Sequence, residues 1–287
     1  MDPVSLVILN HNGRDVLKHA LQSAYINRPH EIIVVDNAST DDSWKIAYEW
    51  GARVVHADNE HKFITGLNEA IRSVKTDIIL FQQEDVQLAD NALSQMQIAL
   101  SLFGWNNIYQ PVLRNIDGSI NHAGCAYVWP GLGIGYQIVQ NVVPYRVPLF
   151  STACFMMHKV IWSTQGLFDE LFSPAYYEDV DYSIRNNFNC YVVPDAHGVH
   201  LSTFTFHKTH SKQQLAEYCK VNRRKLVNKH YRGLDRLARL AALSAIDLIS
   251  SGKSHLHGDT YTLPKGDHPE VTGAREVLGS DQPSPPR

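Results

Sequence analysis

The sequence predicts an α/β protein built on a mainly parallel, doubly wound sheet flanked by helices. Three observations carry this. Val4-Ser5-Leu6-Val7-Ile8-Leu9, Ile32-Ile33-Val34-Val35 and Ile78-Ile79-Leu80-Phe81 are short, nearly continuous apolar runs, the pattern of strands buried on both faces. Segments of helical periodicity separate them, at about 14–27, from near 42, and at 63–74. Each apolar run ends abruptly in polar residues, which gathers the chemically capable side chains at the carboxyl edge of the sheet, where open α/β sheets bind ligands.

In chain order, the first strand runs into Asn10-His11-Asn12-Gly13. The second runs into Asp36-Asn37-Ala38-Ser39-Thr40-Asp41, where Ser39, Thr40 or Asp41 can cap the following helix. A short strand follows at 53–56 and a helix at 63–74. The strand at 77–81 continues into Gln82-Gln83-Glu84-Asp85, and 91–102 is the next helix. From Ile108 the texture changes: Asp117-Gly118, between Val112 and Ile120, signals a hairpin. Residues 125–149, rich in Gly, Pro and aromatics, read as one long loop over the active face. Then come a strand at 150–157, a short helix to about 166 and a helix at 178–187. Two short strands at 191–193 and 199–201 precede terminal helices at 213–231 and 234–249.

A net charge of −3 argues against a dedicated nucleic-acid binder. No apolar run approaches the ~20 residues of a membrane span. The N-terminus lacks the basic start of a signal peptide, and the four scattered cysteines form no CxxC pair. These features read as a cytoplasmic protein with reduced thiols, possible contact with a membrane surface aside.

Strand-Asn10-His11-Asn12-Gly13, followed by Val34-Val35-Asp36-Asn37-Ala38-Ser39-Thr40-Asp41, resembles the opening of a family 2 glycosyltransferase, and the chain is similar to its rhamnosyltransferase-like group. The resemblance implies the GT-A fold, a Rossmann-like sheet that binds a nucleotide-sugar. His11 stands where the family usually has Tyr, and an imidazole can stack on a nucleobase as a phenol does. By the same resemblance Asp36 hydrogen-bonds the base, and Asn10, Asn12 and Asn37 belong to the same pocket. Gly66 and Asn68, in Phe63-Ile64-Thr65-Gly66-Leu67-Asn68, match the helix lining the nucleotide-sugar pocket, although Lys62 stands where Gly is common. Asn121-His122-Ala123-Gly124 resembles the family's His-x-Gly near the donor sugar.

The family's metal motif, usually Asp-x-Asp, falls on Gln83-Glu84-Asp85. Gln83 departs from it, Asp85 keeps its last position, and Gln83 and Glu84 fall beside the donor. A divalent Mn²⁺ or Mg²⁺ suits oxygen ligands and a departing diphosphate. Pro194-Asp195-Ala196-His197-Gly198-Val199-His200 matches Pro-x-Ala-x-x-x-His, which implies His200 as a second metal ligand and leaves His197 aside.

Gly166-Leu167-Phe168-Asp169-Glu170 and Glu178-Asp179-Val180-Asp181-Tyr182-Ser183-Ile184-Arg185 resemble the family's Gly-x-Phe-Asp-Glu and Glu-Asp-x-Asp-x-x-x-Arg. Acids in a first helical turn favour the helix dipole, and Asp181 with Arg185 makes an ordinary i,i+4 pair. Crowded carboxylates also raise one another's pKa, which suits a general base. The resemblance implies Asp179 as the base for the acceptor hydroxyl and Glu178 as its orienter or an acceptor contact. Asp181 and Arg185 then brace the helix, and Phe168 and Asp169 pack and cap the turn before it.

The expected organisation is a catalytic domain at 1–207, with a nucleotide-sugar half at about 1–100 and an acceptor half at about 101–207. C-terminal helices at 208–251 and a disordered tail at 252–287 complete it. Asn222-Arg223-Arg224 matches a family Asn-Arg near the active face, in a helix made basic by Lys220, Lys225 and Lys229. The apolar stripe through Leu234, Leu237 and Leu240 or Ala241 implies docking on the catalytic domain, on a second copy or on an anionic membrane. The expected activity is inverting transfer of a hexosyl or deoxyhexosyl group from a UDP-, dTDP- or GDP-sugar to a glycan or lipid-linked acceptor, in polysaccharide or glycoconjugate synthesis. The alternative is a lapsed enzyme, a nucleotide- or glycan-binding subunit of an assembly complex, which Gln83 and Lys62 support.

Overall fold

A computed structural model describes residues 1–57, 62–135, 139–201 and 211–251; the expected tail at 252–287 lies outside them. The first half alternates β1 (Val4–Asn10), α1 (Leu17–Ile26), β2 (Glu31–Asp36), α2 (Ser43–Glu49), β3 (Arg53–His56), α3 (Phe63–Ser73), β4 (Ile78–Gln83), β5 (Val86–Leu88) and α4 (Ala92–Phe103). Strands β3, β2, β1 and β4 lie side by side, all parallel. Every residue of β1 is buried, as its nearly continuous apolar text predicts. The sheet buries one core against α1, α2 and α4, with Leu6, Ile8, Leu21 and Met96, and a second on its other face, with Val7, Ile33, Phe81 and Phe155.

Beyond β4 the sheet becomes mixed. β6 (Ile108–Arg114) turns through Asp117-Gly118 into antiparallel β7 (Ile120–His122). β11 (Cys154–His158) runs antiparallel between β4 and β6, and α5 (Lys159–Gln165) follows it. A 3-10 turn at Glu170–Phe172 leads to α6 (Glu178–Arg185), β12 (Cys190–His200), α7 (Lys212–His230) and α8 (Gly233–Ser251). Strand β12 pairs in parallel with β6 and antiparallel with β5.

Three expectations are corrected here. The presumed loop at 125–149 contains a hairpin of β8 (Cys125–Val128) and β9 (Leu132–Gly135), and an edge strand β10 (Tyr145–Val147) paired with β12. Glycines inside β9 weaken the strand signal in the sequence. The two short strands at 191–193 and 199–201 are one strand. Pro194 falls in an irregularity between Val193 and His197, where its missing N–H costs no ladder bond. The strand expected from 150 begins at Cys154 instead. The segment before it is held by side chains: Gln110 Oε1 accepts from the Ser151 N–H at 3.1 Å, and Ser151 Oγ accepts from the Ala153 N–H at 3.2 Å.

Helix α7 buries Leu226 in the second core. Helix α8 rests on α7 through Asp247, which meets Arg223 at 2.8 Å and Arg224 at 2.6 Å, while Leu234, Leu237 and Leu248 are exposed. Among the described residues no helix is long and apolar enough to cross a membrane.

Candidate active site

Parallel pairing aligns the strand ends at the carboxyl edge. Asn10 stands opposite Asp36, Asp36 opposite His56, and Leu9 opposite Gln83. Asn10 is fully buried, and its Nδ2 donates toward Asp36 Oδ1 at 3.1 Å, Ser39 Oγ at 3.2 Å and Ser43 Oγ at 2.8 Å. Asn12 accepts from the backbone N–H groups of Thr40 and Asp41 at 2.8 and 3.2 Å, tying the β1 loop to the β2 loop. Asp41, one residue before the N-cap Asp42 of α2, accepts from the Ser43 N–H at 3.0 Å.

The His11 ring has its tautomer fixed by its neighbours. Its Nδ1 lies 2.8 Å from the Asn37 carbonyl, which can only accept, so Nδ1 carries the proton. Its Nε2 accepts from Asn12 Nδ2 at 3.0 Å. Both nitrogens face the protein, so what the ring offers a ligand is stacking. The Asp36 carboxylate is 5% exposed; its second oxygen lies 3.3 Å from His56 Nδ1, and that imidazole is 61% exposed. Trp44 meets His56 edge-on, ring centres 5.6 Å apart.

Gly66 and Asn68 sit on α3 beneath this edge. A Cβ at Gly66 would lie 2.7 Å from a Leu9 methyl and 3.2 Å from the Asn37 side chain, so only glycine lets the helix approach this closely. Asn68 exchanges two hydrogen bonds with the Phe168 backbone, at 3.0 and 2.9 Å, and so holds the turn that leads toward α6.

Gln83 ends β4, half-buried, its N–H donating to the Ala153 carbonyl at 2.9 Å. Glu84 and Asp85 are buried in the turn between β4 and β5. Asp85 Oδ1 has no hydrogen-bond partner, and His200 Nε2, at the end of β12, lies 3.4 Å from it. The other ring nitrogen of His200 lies 3.1 Å from Asn121 Oδ1. Neighbouring His122 is buried, its Nε2 2.7 Å from Gln110 Oε1. Burial, and secondarily the nearby His200, push its pKa down to about 4, so it is neutral near pH 7. Gly124 has φ +94°, and a Cβ there would lie 2.7 Å from Val147; its role in the structure is this tight crossing.

The acid cluster opens α6. Tyr176 and Tyr177 both adopt φ +73°, a strained conformation for two successive aromatic residues. Three carbonyls around this turn accept from the buried Asn222 Nδ2: those of Phe172 at 2.5 Å, Ala175 at 2.9 Å and Tyr176 at 3.0 Å. Glu178 is buried, with Oε1 accepting from Thr152 Oγ1 at 2.9 Å and Oε2 unpartnered. Desolvation and then the adjacent Asp179 charge push the Glu178 carboxyl far above the ordinary range. Desolvation also raises the half-buried Asp179, against the Val180 N–H that its Oδ1 accepts at 2.8 Å. Asp181, fully buried, behaves oppositely. It meets Lys229 at 2.6 Å, His230 at 2.7 Å and Arg185 at 2.9 Å, and these contacts hold its pKa down despite burial. Asp169 caps the 3-10 turn by accepting from the Leu171 N–H at 2.9 Å.

The expected residues thus form two groups: Asn10, His11, Asn12, Asp36 and Asn37 at the strand edge, and Glu178 with Asp179 on α6. Between them stand Asp85, His200 and His122; Cys125 Sγ lies 3.9 Å from His122 Nδ1, and burial first, then the Asp179 charge, raises the thiol's pKa. Sequence reasoning missed His56, Trp44, Thr152 and Gln110. A polar end to the 53–56 strand, in line with Asp36, is the signal that could have found His56. Nothing local marks Thr152 or Gln110.

The profile described as Glycosyl transferase family 2 matches residues 5–163 of the 287. No curated protein matches. Among solved structures, the fold is similar to GalNAc-T7 with UDP, GalNAc and Mn²⁺, at TM-score 0.62 and 17% identity over 70% of this chain and 44% of that one. It is similar to TarS 1-349 of S. aureus at TM-score 0.58 and 13% identity, over 86% and 74% of the two chains. It is also similar to mannosyltransferase PcManGT from Pyrobaculum calidifontis in complex with GDP-Man and Mn²⁺, at TM-score 0.54 and 14% identity, over 88% and 79%. The chain therefore spans less than half the length of the GalNAc-T7 chain.

Proposed function

The chain belongs to glycosyl transferase family 2, with the GT-A fold, and on that premise we propose that it moves a hexosyl or deoxyhexosyl group from a nucleoside-diphosphate sugar to an acceptor hydroxyl, inverting the anomeric centre. The observation that carries this is the pair Glu178–Asp179, two carboxylates raised in pKa at the end of a strained turn. Asp179 takes the proton of the acceptor hydroxyl as its oxygen attacks the anomeric carbon, and the bond to the diphosphate breaks in line. Glu178, fixed by Thr152, orients the acceptor or the base. At the opposite edge Asp36 accepts a hydrogen bond from the base, His11 stacks on it, and Asn10, Asn12 and Asn37 set the loops. Gly66, Gln83, Glu84, His122 and Gly124 shape the floor between them.

Among the described residues no cluster of three or more His, Cys, Asp or Glu side chains is arranged for a metal. The buried, unpartnered Asp85 oxygen beside His200 Nε2 still fits a divalent cation, which these two residues would hold. Mn²⁺ or Mg²⁺ held there would offset the charge of the departing diphosphate. The relatives crystallised with UDP and Mn²⁺ or with GDP-Man and Mn²⁺ support this reading. The acceptor class is a glycan or lipid-linked hydroxyl in polysaccharide or glycoconjugate assembly.

Gln83, an amide where the family has a carboxylate, favours a second reading, a lapsed enzyme that retains nucleotide binding. One assay decides. Wild type and Asp179→Asn are incubated with UDP-, dTDP- and GDP-sugars, Mn²⁺ and a mixed glycan acceptor, and nucleoside diphosphate release is followed. Release from one donor, lost in the variant, supports transfer. Nucleotide binding without release under any combination favours the lapsed enzyme.

A further inference from the structure

We propose that Lys229 and His230, in the last turn of α7, are positioning residues for the transfer reaction: through the buried Asp181 carboxylate they fix the first turn of α6 and, with it, the carboxylate of Asp179. The inference rests on Asp179 as the base, read above, although one readout of its test needs no turnover.

Helix α6 depends on outside support. It is eight residues long, too short to be stable alone in water, and Tyr177 at its start supplies no side-chain cap. The third acid of its first turn, Asp181, is fully buried, and a buried carboxylate is costly unless it is paired and hydrogen-bonded. Arg185, on α6 itself, reaches it at 2.9 Å. Its other two partners come from α7: Lys229 Nζ at 2.6 Å and His230 Nε2 at 2.7 Å. Lys229 also meets Asp169 Oδ2 at 2.7 Å, so one ammonium joins the 3-10 turn to α6.

Asn222, Leu226, Lys229 and His230 stand at i, i+4, i+7 and i+8, on one face of α7. Asn222 grips the turn before α6, Leu226 is buried in the core, and Lys229 and His230 hold the helix itself. The far end of this stripe is anchored in turn. Tyr231 Oη lies 2.6 Å from Tyr127 Oη on β8, and the Arg239 guanidinium stands 3.8 Å over the Tyr231 ring. The same hairpin touches α6 beside the base: a Cβ at Gly133 in β9 would lie 3.9 Å from a Val180 methyl. Asp181 is two residues from Asp179, so a shift of the clamped turn moves the base with it. Misplacing a reacting group by about 1 Å costs up to about 10²-fold in rate.

The full chain is tested in two ways. Hydrogen exchange read by mass spectrometry compares wild type with Lys229→Met, which keeps most of the stem and removes the charge. The amides of 178–185 are expected to exchange faster in the variant, and those of β1 and β2 at an unchanged rate. Steady-state kinetics then use the donor whose nucleoside diphosphate is released by wild type and not by Asp179→Asn. Lys229→Met is expected to lower kcat about 10–100-fold, with donor KM and the Kd of the nucleoside diphosphate unchanged. Lys229→Arg is expected to recover most of that loss. His230→Gln, which keeps a donor toward Asp181, is expected near wild type, and His230→Leu below it. Asp181→Asn is expected to match Lys229→Met, and the double variant to be no worse than either, since both break one contact. Unchanged exchange in 178–185 overturns the proposal. So does a wild-type kcat for Lys229→Met assayed well below its melting temperature, which would make the contact a matter of stability alone. A weakened nucleotide Kd in that variant also overturns it, by placing the ammonium at the ligand. No release by wild type from any donor, or release that survives in Asp179→Asn, overturns the base assignment and with it the purpose of the hold; the exchange result is independent of both and tells the two failures apart.

Discussion

The strand edge around Asp36 and the helix start around Glu178 are both polar, both largely buried and both contain residues at positive φ, yet they are built on opposite terms. At the edge, Asn12 and Ala38 take φ +52° and +55° inside a web in which the Asp36 oxygens face Asn10 and His56. The unpartnered buried atoms there are neutral amide oxygens, of Asn10 and Asn37. At α6 the unpartnered atom is a carboxylate oxygen of Glu178, beside a second carboxylate, with both pKa values raised. A surface that recognises a ligand gains from rigidity and satisfied partners. A group that must take a proton gains from an environment in which its charge is costly. The second region is held in place from outside, by Thr152 and Asn222.

The comparison breaks most sharply at Asp179. Asp179→Asn is expected to lower kcat about 10²–10⁴-fold, the usual worth of a general base, with nucleotide affinity unchanged. For the wild type, kcat/KM should rise with pH along a limb displaced upward from the ordinary carboxylate range, because the base works only when deprotonated and burial raises its pKa. Steady-state kinetics from pH 4 to 9 check both; a flat profile would remove Asp179 from proton transfer.

Asp36→Ala tests the other region. A charge-assisted hydrogen bond of about 1.5–3 kcal/mol corresponds to roughly 10–100-fold in the Kd of the nucleoside diphosphate. Calorimetry should show that loss while kcat at saturating donor stays within a few-fold. A kcat loss matching that of Asp179→Asn would erase the distinction between the two regions.

Much of the first region was legible in the sequence, and the second only in part. The nearly continuous apolar text of β1 and the β-branched run of β2 mark both strands because both faces are buried, and polar residues at their ends follow from the edge. The acids of α6 stand together in the chain, so their crowding could be read directly. What supports them could not. Asn222 lies 46 residues beyond Tyr176 and Thr152 lies 26 before Glu178; no local pattern announces such contacts. Asn68, which matches a pocket-lining position in the sequence, also bonds the Phe168 backbone a hundred residues away, a contact no local pattern announces. Strand β12 was divided in reading because Pro194 and Gly198 interrupt its apolar text, while the bulge that accommodates the proline is a property of its pairing with β6.

Asn222→Ala sharpens the claim that α6 is held from outside. It removes the donor shared by three carbonyls and leaves buried acceptors unsatisfied, a cost of about 1–3 kcal/mol. Thermal unfolding should register that loss, and kcat should fall about tenfold as the Tyr176–Tyr177 turn relaxes. Nucleotide Kd should not move, since the strand edge keeps all its partners.

The smallest expected effect carries the most telling sign. The Glu178 carboxyl is raised from 4.5 to about 8, by burial first and Asp179 second, so the folded protein holds that proton more tightly than the unfolded chain does. Below pH ~4.5 both states are protonated and the group contributes no pH dependence. Between about 4.5 and 8 the unfolded chain releases the proton first, so this group makes folding less favourable as pH rises. Glu178→Gln removes the titration yet keeps an oxygen to accept from Thr152. Its melting temperature should therefore match wild type near pH 5 and exceed it near pH 8, by about 2–4 °C if the gain is ~1 kcal/mol. Paired melts at the two pH values give the answer. A stabilisation that grows with pH, alongside lost activity, identifies the buried charge as a cost borne for chemistry. A variant less stable than wild type at pH 8 would mean that Glu178 is a structural partner of Thr152, and that the two regions are built on the same terms after all.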